Sequence, residues 1–115
     1  MKVFIYTQHF SGSIFEEDNL QRVAKGLGGQ WKEVGTVLKL QDATIDQIST
    51  EEESTSRKGF KMLLRWSQKT KKDGVDKVAE LINAFRECDR QDLIKRLKKI
   101  DPVATVQASG ICGIL

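Results

Sequence analysis

The chain has 115 residues, enough for one domain with a modest core. Its 39% apolar and 30% charged residues are those of a folded globular protein, not of a disordered or membrane-spanning one. A net charge of +3 sets up no global field demanding nucleic acid or membrane, and two cysteines with one histidine supply no zinc ligand set.

Residues 1–13 read as an N-terminal arm. MKVFIYTQHF is rich in residues that favour extended backbone, yet no second strand-like stretch with a hairpin signal follows it. Its longest apolar run, residues 3–6, is too short for a signal-peptide core or a membrane span. His9 has no acid, cysteine or second histidine beside it, so it reads as a surface residue rather than a catalytic or metal-binding one.

Residues 14–100 read as six amphipathic helices with short connections, an all-α bundle. Helix 1 has two starts at capping-box spacing, Ser13 with Glu16 and Asp18 with Gln21, which predicts a bent or split helix. Phe15, Leu20, Val23, Ala24 and Leu27 form its inward face, and glycines 26, 28 and 29 end it. Helix 2 follows at about 30–38, with Trp31, Val34 and Leu38 inward. Gly35 in its middle costs roughly 1 kcal/mol relative to alanine, tolerable where another helix must come close. Helix 3 is short, capped by Asp42, with Ala43, Ile45 and Ile48 inward and Asp46 outward. The polar run 49–56 reads as a loop whose serines offer caps to the next helix.

Helix 4, in the stretch 54–72, carries two faces. Phe60, Leu63, Leu64 and Trp66 form an apolar band with Met62 at its edge. Lys58, Lys61, Arg65, Lys69 and Lys72 form a separate basic stripe roughly 80° wide, and no Asp or Glu interrupts residues 54–72. The segment just before it is acidic: Asp42, Asp46, Glu51, Glu52 and Glu53 give residues 42–53 a charge of −5. Residues 57–72 carry two Arg and five Lys, a charge of +7. Exposed single pairs contribute only about 0 to 1 kcal/mol, but a patch acting together raises encounter rate and sets orientation. Being adjacent in one chain, the two runs are expected not to satisfy one another readily, which favours docking between copies or with a partner.

Helix 5 begins near Asp73 and turns Val75, Val78, Ala79, Ile82 and Phe85 inward, with Leu81 widening the face as a central helix requires. Helix 6 has Asp89 as cap. Leu93, Ile94, Leu97 and Ile100 face in, Lys95, Arg96, Lys98 and Lys99 face out, and Pro102 stops it. The tail, 101–115, is small, apolar and aperiodic, and is expected to be irregular.

These residues resemble a death domain. The ordered set is Leu20, Val23, Leu27, Gly28, Trp31, Leu38, Leu40, Asp42, Ile45 and Ile48, then Leu63 with Trp66, then Leu81, Phe85 and Arg86. It covers about 14–100, and its wording is nearest the Fas-associated adaptor type. Gly35 stands where the family usually has Ala, Lys39 where Gly is common, and Ala84 near a usual Leu. The resemblance implies a six-helix antiparallel Greek-key bundle. It also implies a non-enzymatic adaptor or oligomerisation module of apoptotic or innate-immune signalling in the cytoplasm. Its partners would be other death-domain proteins (receptor-, adaptor-, kinase- or caspase-linked) or further copies of itself, with no cofactor and no small-molecule substrate. Head-to-tail contacts between unlike patches can propagate, and the acidic run and basic stripe are the candidate patches.

Two alternatives belong to other classes. The basic stripe with the cations at 95–99 would attract nucleic acid, but Trp31, Trp66 and Phe85 fall at core spacing and leave no stacking platform. The final four residues, Cys112-Gly-Ile-Leu, fit a prenylation motif, which would tether the chain to a membrane. Enzymatic readings lack any Ser/His/Asp or Cys/His set, P-loop or GxGxxG, and Cys88 reads as a packing or surface thiol.

Overall fold

A computed structural model describes residues 13–114, with side chains given for 14–108. The expected arm, including His9, lies outside the described residues apart from Ser13. A 3-10 turn, Ser13–Phe15, precedes α1 (Glu17–Leu27), and a second, Gly28–Gln30, leads into α2 (Trp31–Val37). Then come α3 (Asp42–Glu51), α4 (Thr55–Lys69), α5 (Gly74–Glu87), α6 (Gln91–Ile100) and α7 (Pro102–Ile114). No strand occurs among the described residues.

The segment is split as expected, into the 3-10 turn and α1, but α1 does not start at the Asp18 capping box. Glu16 takes the N-cap position without a side-chain bond, and Asp18 lies in the first turn, where its charge favours the positive helix end. The turn earns its place by burial. Ile14 is fully buried, and the Phe15 ring meets Trp66 of α4 at 5.9 Å, tilted by 58°. Lys77 Nζ lies 4.4 Å from the Phe15 centroid. Burial there lowers the Lys77 pKa, partly offset by Asp73.

The periodicities of α2, α5 and α6 agree with their burial. Trp31, Val34 and Leu38 are buried, as are Val78, Ala79, Leu81, Ile82 and Phe85, then Leu93 and Leu97. Both tryptophans are in the core, each contributing roughly 3 kcal/mol or more by burial. On α4 the band is rotated from the one expected: Met62 is fully buried and Leu64 is only partly so. The reason is Gly35. A Cβ there would sit 3.1 Å from Met62 Cγ and 3.5 Å from Ile45 Cδ1, so α2 yields space that Met62 fills. Gly59 plays the same part between α4 and α1, where a Cβ would lie 3.2 Å from Leu27 Cδ1 and 3.5 Å from the Ala24 carbonyl oxygen. α1 packs along α4, with α2 and α3 also on α4 and α6 on α1.

Several boundaries move. Gln41, not Asp42, is the N-cap of α3, and Asp42 opens the helix with its carboxylate at the positive end. Ala43 is exposed, not inward. Residues 49–51 extend α3 rather than forming loop. Ser54 does cap α4, its Oγ accepting from the Arg57 N–H at 3.2 Å. α5 follows Asp73 as expected, through Gly74 at φ +57°. Asp89 does not cap α6; it lies in the turn at φ +60°, and Arg90 takes the N-cap position. Lys39 sits at φ +69°, closing α2 in the left-handed conformation that glycine adopts without strain.

The tail is not irregular. Pro102 ends α6 and, with its fixed φ, opens α7 as the first helical residue. Asp101 serves both helices: its N–H donates to the Leu97 carbonyl, and its Oδ1 accepts from the Ala104 N–H at 3.1 Å. Thr105 Oγ1 donates to the Asp101 carbonyl at 2.7 Å and is 3.3 Å from that of Leu97. Ala104, Thr105 and Ala108 form a buried stripe, and α7 packs on α5 and α6. Small side chains permit that close seating, and they also hid the helix, because their hydropathy contrast is weak.

Candidate interaction surface

The acidic run and basic stripe lie on adjoining helices, and α3 packs directly on α4. Asp42, Asp46, Glu51 and Glu53 are exposed, and Glu52 is half-buried. Lys58, Lys61 and Arg65 are half-buried on α4, and Lys69 is exposed at its end. Lys72 leaves the stripe: α4 stops at Lys69, and Lys72 sits in the following loop with Nζ 3.8 Å from Glu80 Oε1 of α5.

The two runs do satisfy one another in part, contrary to expectation. Arg65 Nη2 is 3.9 Å from Glu51 Oε1, and Arg57 Nε is 3.5 Å from Glu52 Oε1. The Arg57–Glu52 pair closes across the short α3–α4 connection, whereas Arg65, well along α4, meets the end of α3 because α3 packs on α4. Pairs this exposed contribute at most about 1 kcal/mol and exchange readily. Among the described residues Asp42, Asp46 and Glu53 form no ion pair, and neither do Lys58, Lys61 and Lys69.

At the far end of the stripe a groove of about 500 Å³ opens between the α2–α3 loop, the end of α4 and α5. Leu38, Leu40 and Trp66 supply its apolar wall, with Lys39, Lys69 and Lys71 as its cations. The buried Trp66 Nε1 finds no hydrogen-bond partner. Beside the start of α4, Arg57 lies over the Phe60 ring at 5.4 Å.

One arrangement had no sequence signal. Arg90 binds the α1–α2 junction: Nη1 donates to the Leu27 carbonyl at 3.1 Å and to Gln30 Oε1 at 2.8 Å, and Nη2 donates to the Gly26 carbonyl. Its Nε and Nη2 also hold Asp92 at 3.0 and 2.8 Å. That bond lowers the Asp92 pKa and raises that of Arg90. Cys88 is buried beside this junction, and burial with neighbouring Glu33 pushes its thiol pKa up, away from thiolate chemistry. Among the described residues no group of three or more His, Cys, Asp or Glu is placed to hold a metal ion. No helix among them is long and apolar enough to cross a membrane. The side chain of Cys112 and all of Leu115 lie outside the description, so the prenylation reading finds no structural counterpart to weigh.

The family model described as Death domain matches residues 17–100, and the chain belongs to that family. No curated protein and no solved structure gives a significant match. Membership carries the general role, homotypic binding between death-domain proteins in signalling. α7 lies beyond the matched residues.

Proposed function

We propose that the domain is a non-enzymatic adaptor or oligomerisation module of apoptotic or innate-immune signalling, working in the cytoplasm. It docks other death-domain proteins, or further copies of itself, through unlike charged faces. The observation that carries this reading is the juxtaposition of α3 and α4 within the matched family region, with acids on one and bases on the other. The junction pairs Glu51–Arg65 and Glu52–Arg57 are partly spent inside the chain. The contact between copies therefore relies on Asp42, Asp46 and Glu53 against Lys58, Lys61 and Lys69. The patches are unlike in charge though adjoining in the fold; a contact that sets the acids of one copy against the bases of the next, repeated head-to-tail, extends.

Light scattering after size exclusion, across a salt series, tests it. Wild type should form species larger than a monomer at low salt that shrink as salt rises. Lys61→Glu with Lys69→Glu should abolish them with helicity intact, and so should Asp42→Lys with Asp46→Lys. Mixing the two variants should restore association, because the reversed patches are complementary again. Association unchanged by salt and by both pairs of substitutions sinks this map.

A further inference from the structure

A second run of uncompensated cations lies on α6: Lys95 and Lys98 line a groove toward α7, and Arg96 and Lys99 line another with Arg22 of α1. Lys95, Arg96, Lys98 and Lys99 are exposed, and among the described residues none of them forms an ion pair. The one acid of α6, Asp92, is held by Arg90. Beside Lys95 and Lys98 runs a groove of about 350 Å³, lined also by Arg86 of α5, Ile94, and Thr105 and Val106 of α7. No acidic side chain lines it. Val106, which lines it, and Val103, three residues earlier on α7, are the exposed large hydrophobics among the described residues, at 59% and 44% exposure. Residues 102–115 contain no charged side chain at all.

We propose that this α6–α7 face binds the surface of an anionic lipid bilayer. The cations would meet headgroup charge while Val103 and Val106 enter the interfacial layer, the division of labour of interfacial helices. A protein partner would also answer to charge complementarity, but the residue types favour lipid. The exposed cations of α6 are three lysines and one arginine, and Arg96 is engaged with the Arg22 carbonyl at 2.7 Å. A cluster of four Lys/Arg side chains on one helix, beside exposed valines on an uncharged neighbouring helix, is the pattern that anionic headgroups attract. Lysine's flexible point charge suits a fluid headgroup layer better than a fixed acceptor. The face lies on helices other than α3 and α4, so it stands or falls apart from the assembly reading. It also needs no modification at Cys112.

Co-sedimentation with phosphatidylcholine vesicles, with and without phosphatidylserine, tests the proposal on the bacterially expressed full chain. Binding should require phosphatidylserine and weaken with salt. Lys95→Glu with Lys98→Glu should lower partitioning about tenfold or more, since each cation near the surface contributes on the order of 1 kcal/mol. Val103→Ser with Val106→Ser should lower it too. All four positions are exposed, and unchanged helicity verifies the fold of each variant. Absence of binding, or equal binding to neutral vesicles, overturns the proposal. So does vesicle binding unmoved by either pair, or retention of generic duplex DNA without vesicle binding. If the lysine reversals change only the mass by light scattering, the face is a protein interface and the lipid assignment is wrong.

Discussion

Asp92 is 61% exposed, yet its carboxyl is held below the usual carboxylate range by the Arg90 guanidinium. A carboxyl whose folded pKa is depressed stabilises the fold above its unfolded value, about 3.9. That contribution is lost as pH falls through the lowered folded value. Asp92→Asn should therefore cost up to about 1 kcal/mol at pH 6, the range for an exposed pair. The difference from wild type in urea unfolding should vanish in strong acid, below the lowered pKa. A gap that persists there would mean the carboxylate charge is not what Arg90 uses. Nothing in the sequence around Arg90 announced this role, because its acceptors on the α1–α2 junction lie 60 to 64 residues away. By contrast Trp31, Trp66 and Phe85 were legible as core, since helical spacing places large apolar residues on one face without knowledge of the partner. Met62 and Leu64 exchanged roles because that spacing leaves the edge of a band undecided, and only Gly35 across the interface settles it.

At the scale of elements, α1 to α6 were legible and α7 was not. Long helices with Leu, Ile and Val at regular intervals announce themselves, whereas Ala104, Thr105 and Ala108 mark a buried face by smallness. The start of α7 did carry a signal. An acid followed by proline is a helix N-terminus as readily as a stop, and here it is both. The dual use of Asp101 predicts a local effect. Asp101→Ala should cost about 0.5–2 kcal/mol, the range for losing an N-cap. Amide hydrogen exchange should quicken first over 103–108 while α1 and α4 keep their protection. Uniform loss of protection across the bundle would show that α7 does not open as a unit. The charged surface was legible in composition only in part. The identities of the acids and bases follow from the sequence, but their pairing depends on the short α3–α4 turn for Glu52–Arg57 and on how α3 packs on α4 for Glu51–Arg65.

The whole molecule separates its surfaces. One side joins α3 to α4 and carries both signs of charge; α6 carries four cations against a single acid, next to an uncharged helix. The core between them is continuous, running from Ile14 through α1 to α7. The clamp made by Arg90 has a meaning in time as well as in space. Contacts closing across some 60 residues must wait for the chain between them to be ordered, because loop closure is unfavourable until the intervening helices pack. Arg90 should then be absent from the folding transition state and present only in the finished bundle. Arg90→Met should leave the refolding rate almost unchanged and raise the unfolding rate about tenfold or more, as expected when hydrogen bonds to a charged group form after the barrier. A chevron whose refolding arm drops instead would place the joining of α1 and α6 at the start of folding. With the expected result, Arg90 works as a latch: it has no part in how quickly the domain folds and sets how long the domain stays folded.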